Sequence, residues 1–397
     1  MLAFVAVTNR WVSWADAVGR YHDGDPISYR AIAAAAPGLL HRRIAEWHAE
    51  RFIPNYLVGC VAKLLHAGLT PTYRVACVVL AVVICLVLAD VLVRLHVSRA
   101  TAAVCLAVFI LNPYGLRYFF FGVGRVADLM FILGALIAAR GLVLRAPVSL
   151  LAGLLLATMA RQTALPAALV ASVVIVSDPA WRARLGATRG AFAGAVIALP
   201  VACYVVIRIV AAPFSGPAPS LHAMTLLGSG NLHALLDHFA RSAISLLAVT
   251  ALLAASWWRL RDRGIRTQAS IDAATDGIDR AGGYACLLVG AAIALQPVIL
   301  NPSWAQDSEP RLAVLGMAPL VLALAVLMRG LALDGAARLG LATAAVLVGL
   351  LAIGSFHHIF TVVGPASKGE TVALQCTIAI AAGALLLWSS RRAPEPG

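Results

Sequence analysis

The sequence predicts an all-α protein: a polytopic bundle of transmembrane helices with an N-terminal outer loop containing interfacial helices. Three observations lead there. Mean hydropathy is +0.88 and only 12% of residues are charged, whereas a water-soluble domain needs about a quarter of its surface charged. Apolar runs near the ~20 residues that cross about 30 Å of hydrocarbon recur along most of the chain. Arginines gather in alternate segments between those runs.

The runs lie near 73–95, 101–121, 125–143, 190–212, 238–258, 283–300, 311–328, 338–355 and 372–389. Two shorter ones, 147–160 and 163–177, flank Arg161, which brings the expected total to about eleven crossings. Arg94 and Arg99, Arg140 and Arg145, Arg182 to Arg189, Arg259 to Arg266, Arg329 and Arg338, and Arg391 and Arg392 occupy one set of loops. The positive-inside bias makes those loops cytoplasmic. The arginine-poor set then faces outward, and 73–95 runs from outside to inside, which leaves the chain before it outside.

Residues 1–72 therefore read as an outer loop, 73–389 as the bundle and 390–397 as a cytoplasmic tail. Within the loop, Ile53, Tyr56, Leu57, Cys60, Val61, Leu64 and Leu65 recur at helical spacing while Asn55, Gly59, Lys63 and His66 take the other face. A single apolar stripe suits a helix lying in the membrane interface, and Pro54 is acceptable in its first turn. The leading "MLAFVAV" is too short to span a bilayer; either it is the end of a clipped first helix or it packs against the bundle.

The net charge of +13 does not indicate nucleic acid, because the arginines form no basic stripe with interleaved aromatics. Their loops suit anionic lipid headgroups. Only Lys63 and Lys368 are lysine among 31 basic residues, a bias that suggests a GC-rich bacterial genome. The seven cysteines sit singly in apolar segments, without a CxxC pair or zinc-ligand spacing, and read as small core residues.

The densest polar cluster is "HDGDPISYRAIA", His22 to Ala33. "DGDP" by itself is good turn chemistry, so a solvated turn competes with a functional role for Asp23 and Asp25. Arg125 and Asp128, three apart, either pair with each other or serve a substrate. Arg161 and Arg208 are of a kind that snorkels, and Asp90 with Arg94 reads as a structural pair.

Several stretches in order resemble one family. Asp25-Pro26-Ile27-Ser28-Tyr29 followed by Ile32-Ala33 is similar to the Asp-Glu-x-x-Tyr…Ile-Ala of polyprenyl-phosphate-sugar-dependent glycosyltransferases of the GT-C class, which include protein O-mannosyltransferases and aminoarabinose transferases; proline replaces the glutamate here. "RFIPNYLVGCVAKLLHAGL" resembles the family's interfacial "HPPL" helix, keeping one proline and lacking the histidine. "NPYGLRYFFFGVGRVADLMF", "MARQTALP" and "SEPRLAVLGMAPLVLAL" are similar to its later arginine patch, its Lys-Gly-x-x-x-Pro stretch and its Glu-Arg-Tyr-x-x-Pro element.

The resemblance implies transfer of a sugar from a lipid phosphate to an envelope lipid, glycan or protein on the outer face of the bacterial inner membrane. Asp25 would be the base or orienting carboxylate and Asp23 its helper. Tyr29 and Arg51 would shape the acceptor side. Arg117, Arg125, Arg161 and Arg311 would contact the lipid-linked phosphate, with Asp128 and Glu309 as lesser contributors. Some members use a divalent cation, Mg or Mn, and others none; His22, Asp23 and Asp25 are the candidate ligands. A transporter or flippase for a lipid-linked substrate is the rival from another class, although repeated halves with interrupted helices are not visible. A catalytically inactive relative is the other alternative.

Overall fold

A computed structural model describes Val5, residues 25–112, 114–116, 124–217, 232–263, 280–299 and 312–329, and scattered positions from 373 to 384. Among these residues the regular structure is helical, with one isolated bridge between Ile44 and Ser215. The loop segment forms α1 (Asp25–Ala35), α2 (Glu46–Ala49) and α3 (Phe52–Leu64). Next come α4 (Leu69–Arg94), α5 (Arg99–Ile110), α6 (Val126–Val143), α7 (Pro147–Ala160) and α8 (Ala164–Ser177). The short α9 (Pro179–Leu185) leads into α10 (Arg189–Ala211). After it come α11 (Leu232–Ile244), α12 (Leu247–Arg263), α13 (Arg280–Ala294) and α14 (Met317–Arg329).

The hub is α6. It is apolar on all sides and almost every residue in it is buried, as expected for a helix without a polar face; α3, α4, α7, α13 and α14 pack around it. Small residues let α7 come close. A Cβ built on Gly153 would stand 2.2 Å from the Ala138 amide nitrogen, and one on Gly134 2.5 Å from that of Ala157. Association of this kind, without a hydrophobic drive between helices, is characteristic of membrane bundles. The connection between the two helices is a tight turn in which Arg145 has a positive φ of 49°.

Among the described residues, four helices are long and apolar enough to cross a membrane by length and composition, Leu69–Arg94, Val126–Val143, Pro179–Phe214 and Ala281–Val298. Their outward faces are apolar: Val75, Val79 and Leu86 on α4, and Leu199, Val205 and Ile209 on α10, are all exposed. That is compatible with lipid rather than water around the bundle.

The structure modifies several sequence expectations. In the run at 101–121, helix α5 ends at Ile110, where the Asn112 side chain accepts from the Tyr114 amide to turn the chain, and residues 117–121 lie outside the described residues. The single crossing expected at 238–258 is a pair of helices bent by 85° between Ile244 and Leu247. At the break the Ser245 carbonyl accepts from the Asn112 side chain at 2.7 Å instead of from a helical amide. The short runs flanking Arg161 are helices of 14 residues each, α7 and α8, about 21 Å long at 1.5 Å per residue and so shorter than a full span. The run at 338–355 lies outside the described residues, as does most of 372–389.

Helix α3 is present where its pattern places it, with much of its apolar stripe facing away from the protein. Asn55, Gly59 and Ala62 are buried, while Leu57, Val61, Leu64 and Leu65 of the apolar stripe are exposed, Leu64 by 77%. The non-stripe face is the packing face, because Gly59 lets α1 cross directly over it: a Cβ there would lie 2.1 Å from the Ala33 carbonyl oxygen. Gly59→Ala should accordingly lower stability by about 1–3 kcal/mol, read as thermal unfolding in detergent. The same substitution at Gly190, where a Cβ meets nothing within 4 Å, should leave the transition unmoved or raise it.

Candidate functional site

Helix α1 starts at Asp25, whose charge suits the helix N-terminus, and Pro26 fits its first turn, where no amide donor is needed. Asp25, Ser28, Tyr29 and Ile32 share one helical face, with Tyr29 and Ile32 buried. Helix α2 brings His48 against that face. Its Nε2 is 2.5 Å from Asp25 Oδ1 and its Nδ1 is 2.9 Å from Ser28 Oγ. The Tyr29 ring stands edge-on to the imidazole, with centroids 5.4 Å apart.

Tyr29 is held from both ends. Its hydroxyl accepts from Arg51 Nη1 at 3.2 Å, and its carbonyl shares the Tyr73 hydroxyl with the Asn55 side chain, at 3.2 and 2.9 Å. Burial pushes the Tyr29 hydroxyl pKa above its ordinary value, so the group remains a phenol and keeps its proton. This network fixes α1 to α3 and to the first turns of α4.

The other half of the cluster comes from the hub. Arg125 directly precedes α6, Asp128 lies in its first turn, and Arg161 closes α7. Arg161 Nε is 2.7 Å from Asp128 Oδ1, a close ionic contact without the alignment of a hydrogen bond. Arg125 Nη1 is 3.5 Å from Asp25 Oδ2 and 4.0 Å from Asp128 Oδ2. The expected pairing of Arg125 with Asp128 is thus the looser of Asp128's two ion pairs. All three side chains are at most 5% exposed.

Six of the sequence-predicted residues therefore meet in one place: Asp25, Tyr29, Arg51, Arg125, Asp128 and Arg161. Asp23, Arg117, Glu309 and Arg311 lie outside the described residues, as does His22. Among the described residues, three guanidiniums and two carboxylates come together here, and guanidinium forks match phosphate oxygens. Asp25, the one described member of the suggested metal set, already faces Arg125 and His48, and among the described residues no group of three or more His, Cys, Asp or Glu stands in ligand geometry.

Sequence reasoning missed His48, Ser28 and a second set of contacts beside them. Arg208, expected to snorkel, is 2.5 Å from Glu46 Oε1 and 3.3 Å from Glu50 Oε1, and the Tyr204 hydroxyl donates to Glu50 at 2.8 Å. Glu46 and Glu50 are one turn apart, and so are Tyr204 and Arg208 on α10; those two matched spacings were the available signal. Ile44 reinforces the attachment, its amide donating to the Phe214 carbonyl at 2.9 Å and its carbonyl accepting from the Gly216 amide at 2.7 Å. The loop is thereby clipped to the far end of α10. Burial raises the Glu50 carboxyl pKa, opposed by the Tyr204 hydrogen bond.

Comparison with protein-family models, curated proteins and solved structures gives no match for this chain.

Removing the Asp128 charge leaves the buried Arg161 without its nearest carboxylate, so Asp128→Asn should cost about 3–5 kcal/mol. The check is the unfolding midpoint in detergent, where Asp90→Asn at an exposed pair should cost less than about 1 kcal/mol. A second expectation concerns pH. Because the folded-state pKa of Glu50 is raised from 4.5, its contribution to stability is fully present below the unfolded value and is lost as pH rises through the folded one. Wild type should therefore lose stability relative to Glu50→Gln from pH about 4.5 upward, seen as a difference between the two melting-temperature profiles.

Proposed function

We propose that this chain is a GT-C type glycosyltransferase of the bacterial inner membrane, with about eleven crossings, an outward-facing site and a cytoplasmic C-terminus. It transfers a hexosyl or pentosyl group from a polyprenyl-phosphate donor to an envelope lipid, glycan or protein. The observation that carries this reading is the assembly of a loop aspartate, Asp25, with Arg125 and the neighbouring Arg161–Asp128 pair at one end of the hub helix.

The chemistry needs few parts. The acceptor oxygen attacks the anomeric carbon, its proton passes to Asp25, and the bond from that carbon to the phosphate oxygen breaks. The departing phosphate carries the negative charge that develops, and Arg125 and Arg161 are the groups to meet it. Arg51 and Tyr29 border the Asp25 side, where the acceptor enters. The guanidiniums beside Asp25 suit a phosphate oxygen. The rival, a transporter, is disfavoured by the position of the cluster, which caps the ends of α6 and α7 instead of interrupting helices at mid-depth.

The test is sugar transfer by purified protein in liposomes supplied with polyprenyl-phosphate sugars and a crude envelope acceptor. Asp25→Asn should reduce the rate by about 10²–10⁴-fold while leaving the melting temperature of the protein within a few degrees. Transfer that survives in Asp25→Asn removes Asp25 as the base. Absence of transfer in wild type, together with movement of the lipid-linked sugar across the bilayer, would establish the transporter instead.

A further inference from the structure

We propose that His48 is a positioning residue for Asp25, locked in one tautomer by Ser28, so that the working base is the Ser28–His48–Asp25 chain rather than an isolated carboxylate. This rests on the reading of Asp25 as the proton acceptor.

His48 is only 6% exposed, and both ring nitrogens are engaged, Nε2 with Asp25 at 2.5 Å and Nδ1 with Ser28 at 2.9 Å. A carboxylate only accepts, so Nε2 carries the hydrogen and donates to Oδ1. With the ring neutral, as the proposal has it, Nδ1 accepts from the Ser28 hydroxyl. Asp25 and Ser28 are one turn apart on α1, which lets a single imidazole bridge them. Contacts with Tyr29 and Trp47, each with ring centroids 5.4 Å away, fix the plane of that imidazole.

The two oxygens of Asp25 thereby acquire different roles. Oδ1 is held by His48, and Oδ2 points to the Arg125 side, 3.5 Å from Nη1, where a phosphate leaving group would sit. The acceptor hydroxyl meets Oδ2. In the transfer step its O–H bond breaks, an Oδ2–H bond forms, and the oxygen closes on the anomeric carbon as the carbon–phosphate oxygen bond opens. His48 keeps its Nε2 hydrogen throughout and takes no proton. Its contribution is to hold the Asp25 rotamer, since misplacement of a reacting group by about 1 Å can cost about 10²-fold in rate.

The experiment compares His48→Leu, which removes both bonds at similar bulk, with His48→Gln, whose amide can still donate to Asp25. Leucine should lower kcat by about 100-fold with KM for the lipid donor changed less than about threefold, and glutamine should restore kcat to within about tenfold of wild type. A leucine variant with wild-type kcat, a loss confined to KM, or a glutamine variant no better than leucine would overturn the proposal. If wild type transfers no sugar, the functional reading has failed, and the imidazole nitrogens decide separately. In ¹⁵N-histidine spectra of the protein in nanodiscs, the His48 signal, assigned by its loss in His48→Gln, should show a protonated Nε2 and a bare Nδ1. It should become a tautomer mixture in both Ser28→Ala and Asp25→Asn. A doubly protonated ring, a protonated Nδ1 alone, or spectra unchanged by both substitutions would refute the chain.

Discussion

Charge that cannot reach water must find charge of the other sign, and this constraint organises one whole end of the molecule. Arg161 and Asp128 are almost completely enclosed. Each would be intolerable alone, and their contact ties the residue that follows α7 to the first turn of α6. Arg125, one step outside α6, is then left between two carboxylates, Asp128 below it and Asp25 above. The loop helix α1 is drawn to the bundle by the same requirement that closes the helical hairpin.

The opposite end of α6 is built on cheaper interactions. Asp90 accepts from Arg94 at 2.9 Å and lies 3.4 Å from Arg140, all three at least partly solvated, and Arg145 in the tight turn reaches Asp178, which also caps α9. The partly exposed Asp90 pairs contribute roughly a few tenths of a kcal/mol each and tolerate loss, while Arg145–Asp178 is itself buried. Between the two ends, glycine-mediated contact between α6 and α7 fixes the distance that both charge layers must respect. A shift of α7 along α6 would therefore disturb the buried pair first.

Much of this was legible in the sequence, and the misses share a cause. Hydropathy located the long helices, and the i, i+4 spacing identified the Asp90–Arg94 pair because each of those signals is local. Asp25, Tyr29, Arg51, Arg125, Asp128 and Arg161 could be named, but nothing in the chain order says that Asp25 and Arg125, far apart in sequence, come within ion-pairing range. His48 was passed over because a lone histidine in "EWHAER" has no pattern until α1 folds back over it. The α3 stripe was legible, but periodicity does not say what packs on the opposite face, which Gly59 opens to α1. The bend at Ser245 depended on Asn112, 133 residues away, which no window of hydropathy contains.

The outward apolar stripe of α3 also bears on where the loop sits. One face of this helix grips α1 through Asn55 and Gly59, and the other offers Leu57, Val61, Leu64 and Leu65 to whatever surrounds the protein. In a bilayer the second face would settle at the depth where headgroups give way to chains, while α6 and α7 are seated by their own packing. Asp25 is carried by the loop helices and Arg125 by the hub, and the 3.5 Å between them brings the proposed site close to the face that α3 turns toward lipid.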